Sequence, residues 1–207
     1  DGSGVIAYST FIDSYNREQI FAKIVSMNGD EITSEFKISD GDNRTDLITG
    51  IVPIEHDGQE VLGFVHYAGK YGAGMPGNLS LTVADTNGSV LKSFDLFSPS
   101  ENPDSFGYRN PVLQKLEGGD YLLTWMQQGD NALPADKGQF AQVLNYDGNL
   151  NLSDSFSAKG DPIQISEEIR GDFVLGQETK GMFAQGLSDE NLSYWDVAGE
   201  DGKIKQY

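Results

Sequence analysis

Four segments of the chain align by eye: FAKIVSMNGDEITSEF (21–36), LSLTVADTNGSVLKSF (79–94), FAQVLNYDGNLNLSDSF (140–156) and LSYWDVAGEDGKIKQY (192–207). Each is an alternating strand, a turn holding Asn-Gly, Asp-Gly or Gly-Asp, and a second strand that closes on an aromatic residue. Asn-Gly and Asp-Gly between alternating runs are strong hairpin signals, because the tight turns that match strand twist need positive φ at both central residues. A second hairpin precedes each of the last three segments: IVPIEHDGQEVLGFVHY (51–67), PVLQKLEGGDYLLTWMQ (111–127) and IQISEEIRGDFVLGQET (163–179). The first unit keeps only half of it, GVIAYST (4–10). From Phe21 to Leu79, Phe140 and Leu192 the spacings are 58, 61 and 52 residues.

Four strands per unit at a period near fifty is the pattern of a β-propeller blade. No stretch longer than a few residues shows helical spacing. The expectation is an all-β fold of four tandem four-stranded antiparallel repeats, β-propeller-like, in one domain over 1–207. The units run over about 1–46, 47–107, 108–160 and 161–207. A non-repeating β-sandwich is the alternative, since short strands at regular spacing look much the same in either fold. The first unit lacks a first strand, so the array has no evident means of closure.

Composition narrows the partners. The 207 residues carry 32 Asp+Glu against 14 Lys+Arg, a formal charge of −18, and no Cys. That balance argues against nucleic acid, which requires a basic footprint, and against anionic membrane surfaces. No apolar run approaches the ~20 residues of a membrane helix. Aromatic residues make up 11% and are spread along the chain, which separates it from acidic disordered sequences. The start at Asp1, with neither Met nor a signal-like segment, reads as a mature or excised piece of something longer. Bound cations would both staple such a chain and relieve its self-repulsion.

In a meander the two hairpin turns of each unit fall on one face and the remaining connections on the other. The first set is short and uniform: HDGQ, EGGD, IRGD, MNGD, DTNGS, YDGN and GEDGK read as turns and nothing more. The second set is long and differs from unit to unit: 11–20, 68–78, 128–139 and 180–191, with 39–50, 98–110 and 158–162. Variable loops gathered on a uniform scaffold are where binding resides.

Those loops hold the candidate cation ligands. Asp40, Asp42, Asn43 and Asp46 place three carboxylates and an amide in a short glycine-containing loop, which suits the six to eight oxygens Ca²⁺ takes at ~2.3–2.6 Å. The competing reading is a solvated acidic turn. Asp104, Asp130 and Asp136 form weaker groups. With no Cys and only His56 and His66, transition metals are not expected. The loop AGKYGAGMPGN lacks the phosphate-cradle pattern. Gly72 and Gly74 there let backbone amides approach a ligand, Tyr71 offers a flat contact, and Asn78 closes the loop. Tyr108 and Arg109 precede the first strand of the third unit, where Arg109 suits a bidentate grip on a carboxylate or an internal ion pair. Trp125 is expected in the core, with Gln127 at its rim.

The run PVLQKLEGGDYLLTW followed by FAQVLNYDGNLNLSDSF resembles repeats of very large secreted bacterial proteins, calcium-dependent RTX adhesins among them. The residues that carry it are Gly118, Gly119, Thr124, Trp125, Ala141, Gln142, Tyr146, Asp147, Gly148 and Asn149, with a partial echo at Phe21, Ala22, Asn28 and Gly29. The resemblance implies an extracellular, cell-surface adhesin module. One module of similar size is the calcium-dependent peptide-binding domain that captures protein C-termini. The expected function is therefore Ca²⁺-dependent binding of a peptide or protein C-terminus by a domain that is monomeric when isolated. A glycan is the alternative ligand. A glycoside-active enzyme is disfavoured, because no carboxylate pair or Asp box is recognisable.

Overall fold

Alternating apolar residues and glycine-bearing turns produce strand after strand, and no helix occurs among the described residues. The computed structural model describes residues 3–11, 18–39, 44–70, 78–97, 107–116, 118–128, 138–150, 155–166, 173–175, 183–186, 192–198 and 203–206. A three-stranded sheet comes first: β1 (Ser3–Phe11), β2 (Glu18–Ser26) and β3 (Phe36–Lys37). The second holds β4 (Arg44–His56), β5 (Gln59–Lys70), β6 (Asn78–Ala84) and β7 (Val90–Phe97). The third holds β8 (Gly107–Lys115), β9 (Tyr121–Gln128), β10 (Gly138–Tyr146) and β11 (Phe156–Ser166). The fourth holds β12 (Phe173–Leu175), β13 (Phe183–Gly186), β14 (Leu192–Ala198) and β15 (Lys203–Gln206). Each sheet is an antiparallel meander in chain order, and the fold is all-β.

The structure corrects the expected connections in several places. Strand β4 begins at Arg44 and β8 at Gly107, so residues 44–50 and 107–110 belong to strands rather than loops. Residues 158–162 are not a loop between units either. Strand β11 runs through them, and Ile163, Gln164 and Ser166 pair with β10 instead of opening the fourth sheet. The crossing is a bulge opposite Gln142, with Gly160 at φ 85°. There Pro162 escapes the ladder it cannot donate to, and Gln142 Nε2 donates to the Gly160 carbonyl at 2.9 Å. Phe183–Gly186, expected within a loop, is strand β13 between β12 and β14.

The first three sheets pack face to face. Strand β4 stands beside β2 of the first sheet and beside β8 of the third. One apolar cluster joins Val52, Ile54, Val65, Leu79 and Leu81 of the second sheet to Leu113, Tyr121, Leu123 and Trp125 of the third. Another joins Ile20 and Ala22 of the first sheet to Phe64 and Ala84 of the second. Strand β5 therefore buries both faces, odd residues toward one neighbour and even residues toward the other. Gly63 sits in its middle because a Cβ there would lie 2.8 Å from Ile54 and 3.0 Å from Leu81 and Val52. Trp125 is 1% exposed and stacks on Phe140, ring centroids 5.8 Å apart, as a core residue should. Closing aromatics of the repeats serve between sheets: Phe36 meets Phe64 edge-on, and Phe94 meets Phe156 in the same way.

Register shows where the connections leave. Arg44 pairs with Lys70, Ala68 with Asn78 and Leu79 with Phe97, so these ends of the second sheet lie together. Gly107 with Gln128, and Gly138 with Gln127, do the same in the third sheet, as Phe11 with Glu18 does in the first. Cross-sheet bonds set these ends side by side: Ile48 N donates to Ser9 Oγ, and Thr49 Oγ1 contacts the Pro111 carbonyl oxygen. At the opposite end Lys115 reaches Glu55. The strand ends flanking connections 12–17, 71–77, 98–106 and 129–137 are thus gathered at one end of three sheets.

Candidate functional site

Of the residues expected to bind, Asp40, Asp42, Asn43, Asp104, Asp130, Asp136, Tyr71, Gly72 and Gly74 lie outside the described residues. The backbones of Asp46, Tyr108 and Arg109 are ladder positions opposite Ala68, Gln127 and Met126; their side chains lie outside the description. Gln127 is half-buried between Tyr108 and Gly138. Asn78 is half-buried at the start of β6, at the end where the long connections leave.

Asn78 does not stand alone. Its Nδ2 donates to Asp95 Oδ2 at 3.1 Å, while Ser80 Oγ donates to Asp95 Oδ1 at 3.0 Å, so both oxygens of that carboxylate are held across the β6–β7 ladder. One step deeper on the same face, His66 Nε2 bonds Thr82 Oγ1 at 3.1 Å, and Thr82 Oγ1 bonds Ser93 Oγ at 2.9 Å. Period-two alternation puts all six groups on one face of the second sheet. His66 is 5% exposed. Burial pulls its imidazole down to about 4, against a smaller upward pull from Asp95. It is neutral near pH 7, with Nδ1 lacking a hydrogen-bond partner. His66 is thus a buried strand residue whose ring is held through Thr82.

At the opposite end, three hairpin turns that read as featureless surround an open cleft of ≈ 370 Å³. Its floor is Tyr121 and Tyr146, ring centroids 6.0 Å apart and edge-on; Phe156 stacks beneath Tyr146 at 4.7 Å. Glu55, Asp57 and Asp147 stand on its walls with Lys115. Gly58, Gly119 and Gly148, all at positive φ, carry the chain around the rim. Tyr121 Oη donates to the Pro53 carbonyl at 3.2 Å. The Tyr146 hydroxyl is enclosed and has no partner. Burial and then the carboxylates of Asp147, Asp57 and Glu55 push its phenol up to about 12, and burial raises that of Tyr121 as well. Both are neutral phenols under all ordinary conditions. The signal in the sequence was an acidic residue beside glycine in each turn with tyrosine next to two of them (Tyr121, Tyr146). Among the described residues no group of three or more His, Asp or Glu is placed to hold a metal ion, and no helix is long and apolar enough to cross a membrane.

No family model, curated protein or solved structure matches this chain.

Proposed function

We propose that the chain is an extracellular, calcium-dependent binding module of a bacterial adhesin, built as a propeller-like array of four repeats. It takes a peptide or protein C-terminus. The observation that carries this reading is the gathering of strand ends: the connections that vary in length and composition depart from one end of three sheets. The hairpin turns occupy the other end. Variable segments on a regular frame are the arrangement that recognition uses. Four successive meanders, the first three packed through strands β4 and β8, support the repeat reading. The resemblance of the third unit to secreted adhesin repeats supplies the expectation of calcium.

In this reading Ca²⁺ is held by oxygens of Asp40, Asp42, Asn43 and Asp46, with Asp104, Asp130 and Asp136 as further ligands. The ion meets a ligand carboxylate, assisted by Arg109, by Gln127 and by the amides of Gly72 and Gly74. Tyr71 and Tyr108 pack on the neighbouring side chain, and Asn78 is anchored at the edge through Asp95. The test is a calorimetric titration with a peptide bearing a free C-terminus and with its amidated twin, each with Ca²⁺ and with EDTA. Binding of the free peptide alone, lost in EDTA, is the expected result. Equal binding of the two peptides would overturn the carboxylate reading. Competition by a sugar with vicinal hydroxyls would point to a glycan instead.

A further inference from the structure

Strand β1 stands at the edge of the first sheet, with β2 on one side and no strand on the other among the described residues. In the repeat it is the counterpart of β5 and β9, which lie second in their sheets beside β4 and β8. Strand β5 buries Phe64, Val65 and His66, and β9 buries residues 121–125. No residue of β1 is buried, and its Ile6 and Phe11 are 46% and 64% exposed. We infer that this edge accepts a strand from another polypeptide, an extended segment of alternating aliphatic and basic residues that pairs antiparallel to β1.

The other long edge strands are guarded against such pairing. Strand β4 has Pro53 and a bulge at Thr49, and β8 has Pro111 within a bulge. Strand β7 has Lys92, Asp95 and two register shifts, and β11 has Lys159, Asp161, Pro162 and a bulge. Proline, charge and bulges are the devices by which sheets blunt an edge. Strand β1, SGVIAYSTF, has neither proline nor a charged side chain, and its register against β2 is unbroken over nine residues. Such an edge offers a row of backbone donors and acceptors, which strand addition uses. The sister sheets show what fits the slot: β4 pairs antiparallel there with Val52 and Ile54 buried at alternate positions. Aliphatic residues of an incoming strand would lie beside Val5 and Ala7, which pack on the cluster of Ile20 and Ala22. Charge selects the rest of the partner. At −18 a second copy of this chain is repelled from the edge, whereas a basic segment is drawn to it.

This edge is separate from the calcium reading, so the test uses the full chain in EDTA and amidated peptides, which bear no carboxylate. The probe is acetyl-Lys-Val-Lys-Val-Lys-Val-Lys-amide, and the control carries proline in place of the central valine. Amide hydrogen exchange is followed by NMR. With saturating probe, every second amide between Gly4 and Ser9 should exchange about tenfold more slowly, and the control should leave them unchanged. Successive N–H groups of an antiparallel strand point to opposite sides. Of Ile6→Pro and Ala7→Pro, one therefore breaks a bond to β2 and lowers the melting temperature. The other removes only an outward N–H, keeps the melting temperature and abolishes probe binding. Equal responses to probe and control would reduce the effect to charge alone and overturn the proposal. Unchanged exchange in β1 at millimolar probe would do the same, as would a wild-type dimer that the outward proline variant makes monomeric.

Discussion

The Thr49 hydroxyl lies 2.6 Å from the Pro111 carbonyl oxygen, tying the second sheet to the third. Both residues sit at bulges. Between Ile48 and Gly50 the β4 ladder skips Thr49, and between Arg109 and Val112 the β8 ladder skips Asn110 and Pro111. Each bulge takes a residue out of its own sheet, and the two meet. Thr49→Val keeps the shape and removes the donor, leaving a carbonyl unsatisfied at a sheet interface. The expected loss is about 1 kcal/mol, read as a lowered urea midpoint with unchanged slope. An unchanged midpoint would show that water replaces the bond fully.

Gly63 is the tightest point of the core. A methyl group there collides with Ile54, Leu81 and Val52, all enclosed, with no solvent side to yield toward. Gly63→Ala should cost about 1–3 kcal/mol by overpacking. Adding Ile54→Ala, which removes the Cγ1 atom nearest the new methyl, should restore part of that loss, although Ile54→Ala alone is destabilising. If the double variant is merely the sum of the singles, the collision is not the cause.

His66 gives the protein a defined acid dependence. Its folded pKa is lowered from the ordinary 6.5 to about 4. Between those values the unfolded chain takes up a proton that the folded chain refuses. Stability therefore falls as pH drops from 6.5 toward 4, and below that both states are protonated and this slope vanishes. The loss is on the order of 3 kcal/mol at most. His66→Gln keeps a partner for Thr82 and does not titrate, so it should flatten the curve of unfolding free energy against pH in this window. A slope identical to the wild type would assign the effect to carboxylates alone.

Calcium binding on the long connections should show in stability before any ligand is known. EDTA is expected to lower the melting temperature by several degrees, and Asp42→Ala to reproduce part of the shift. Identical melts with and without chelator would remove the cation from the account.

Much of the strand order was legible because its signals are local. Asp57, Gly58 and Gly88 carry the left-handed backbone of their turns, and alternation about Val52 and Ile54 announces the buried face. What misled were residues whose usual meaning is overridden by neighbours. Asp161-Pro162 reads as a break, yet β11 absorbs it in a bulge and delivers Ile163 to β10. Phe183–Gly186 is too short and too rich in small residues to declare itself, and it becomes strand only by pairing on both sides. The turn-end cleft was invisible for a further reason. Tyr121 and Tyr146 belong to different hairpins, and nothing in their spacing says that they share a floor.

The enclosure of Trp125 has a practical consequence. Its indole lies in the cluster that the second and third sheets build jointly, against Phe140. With Trp195 replaced by Phe, its fluorescence gauges separation of two neighbouring layers, and a red-shifted emission spectrum marks the moment water enters between them.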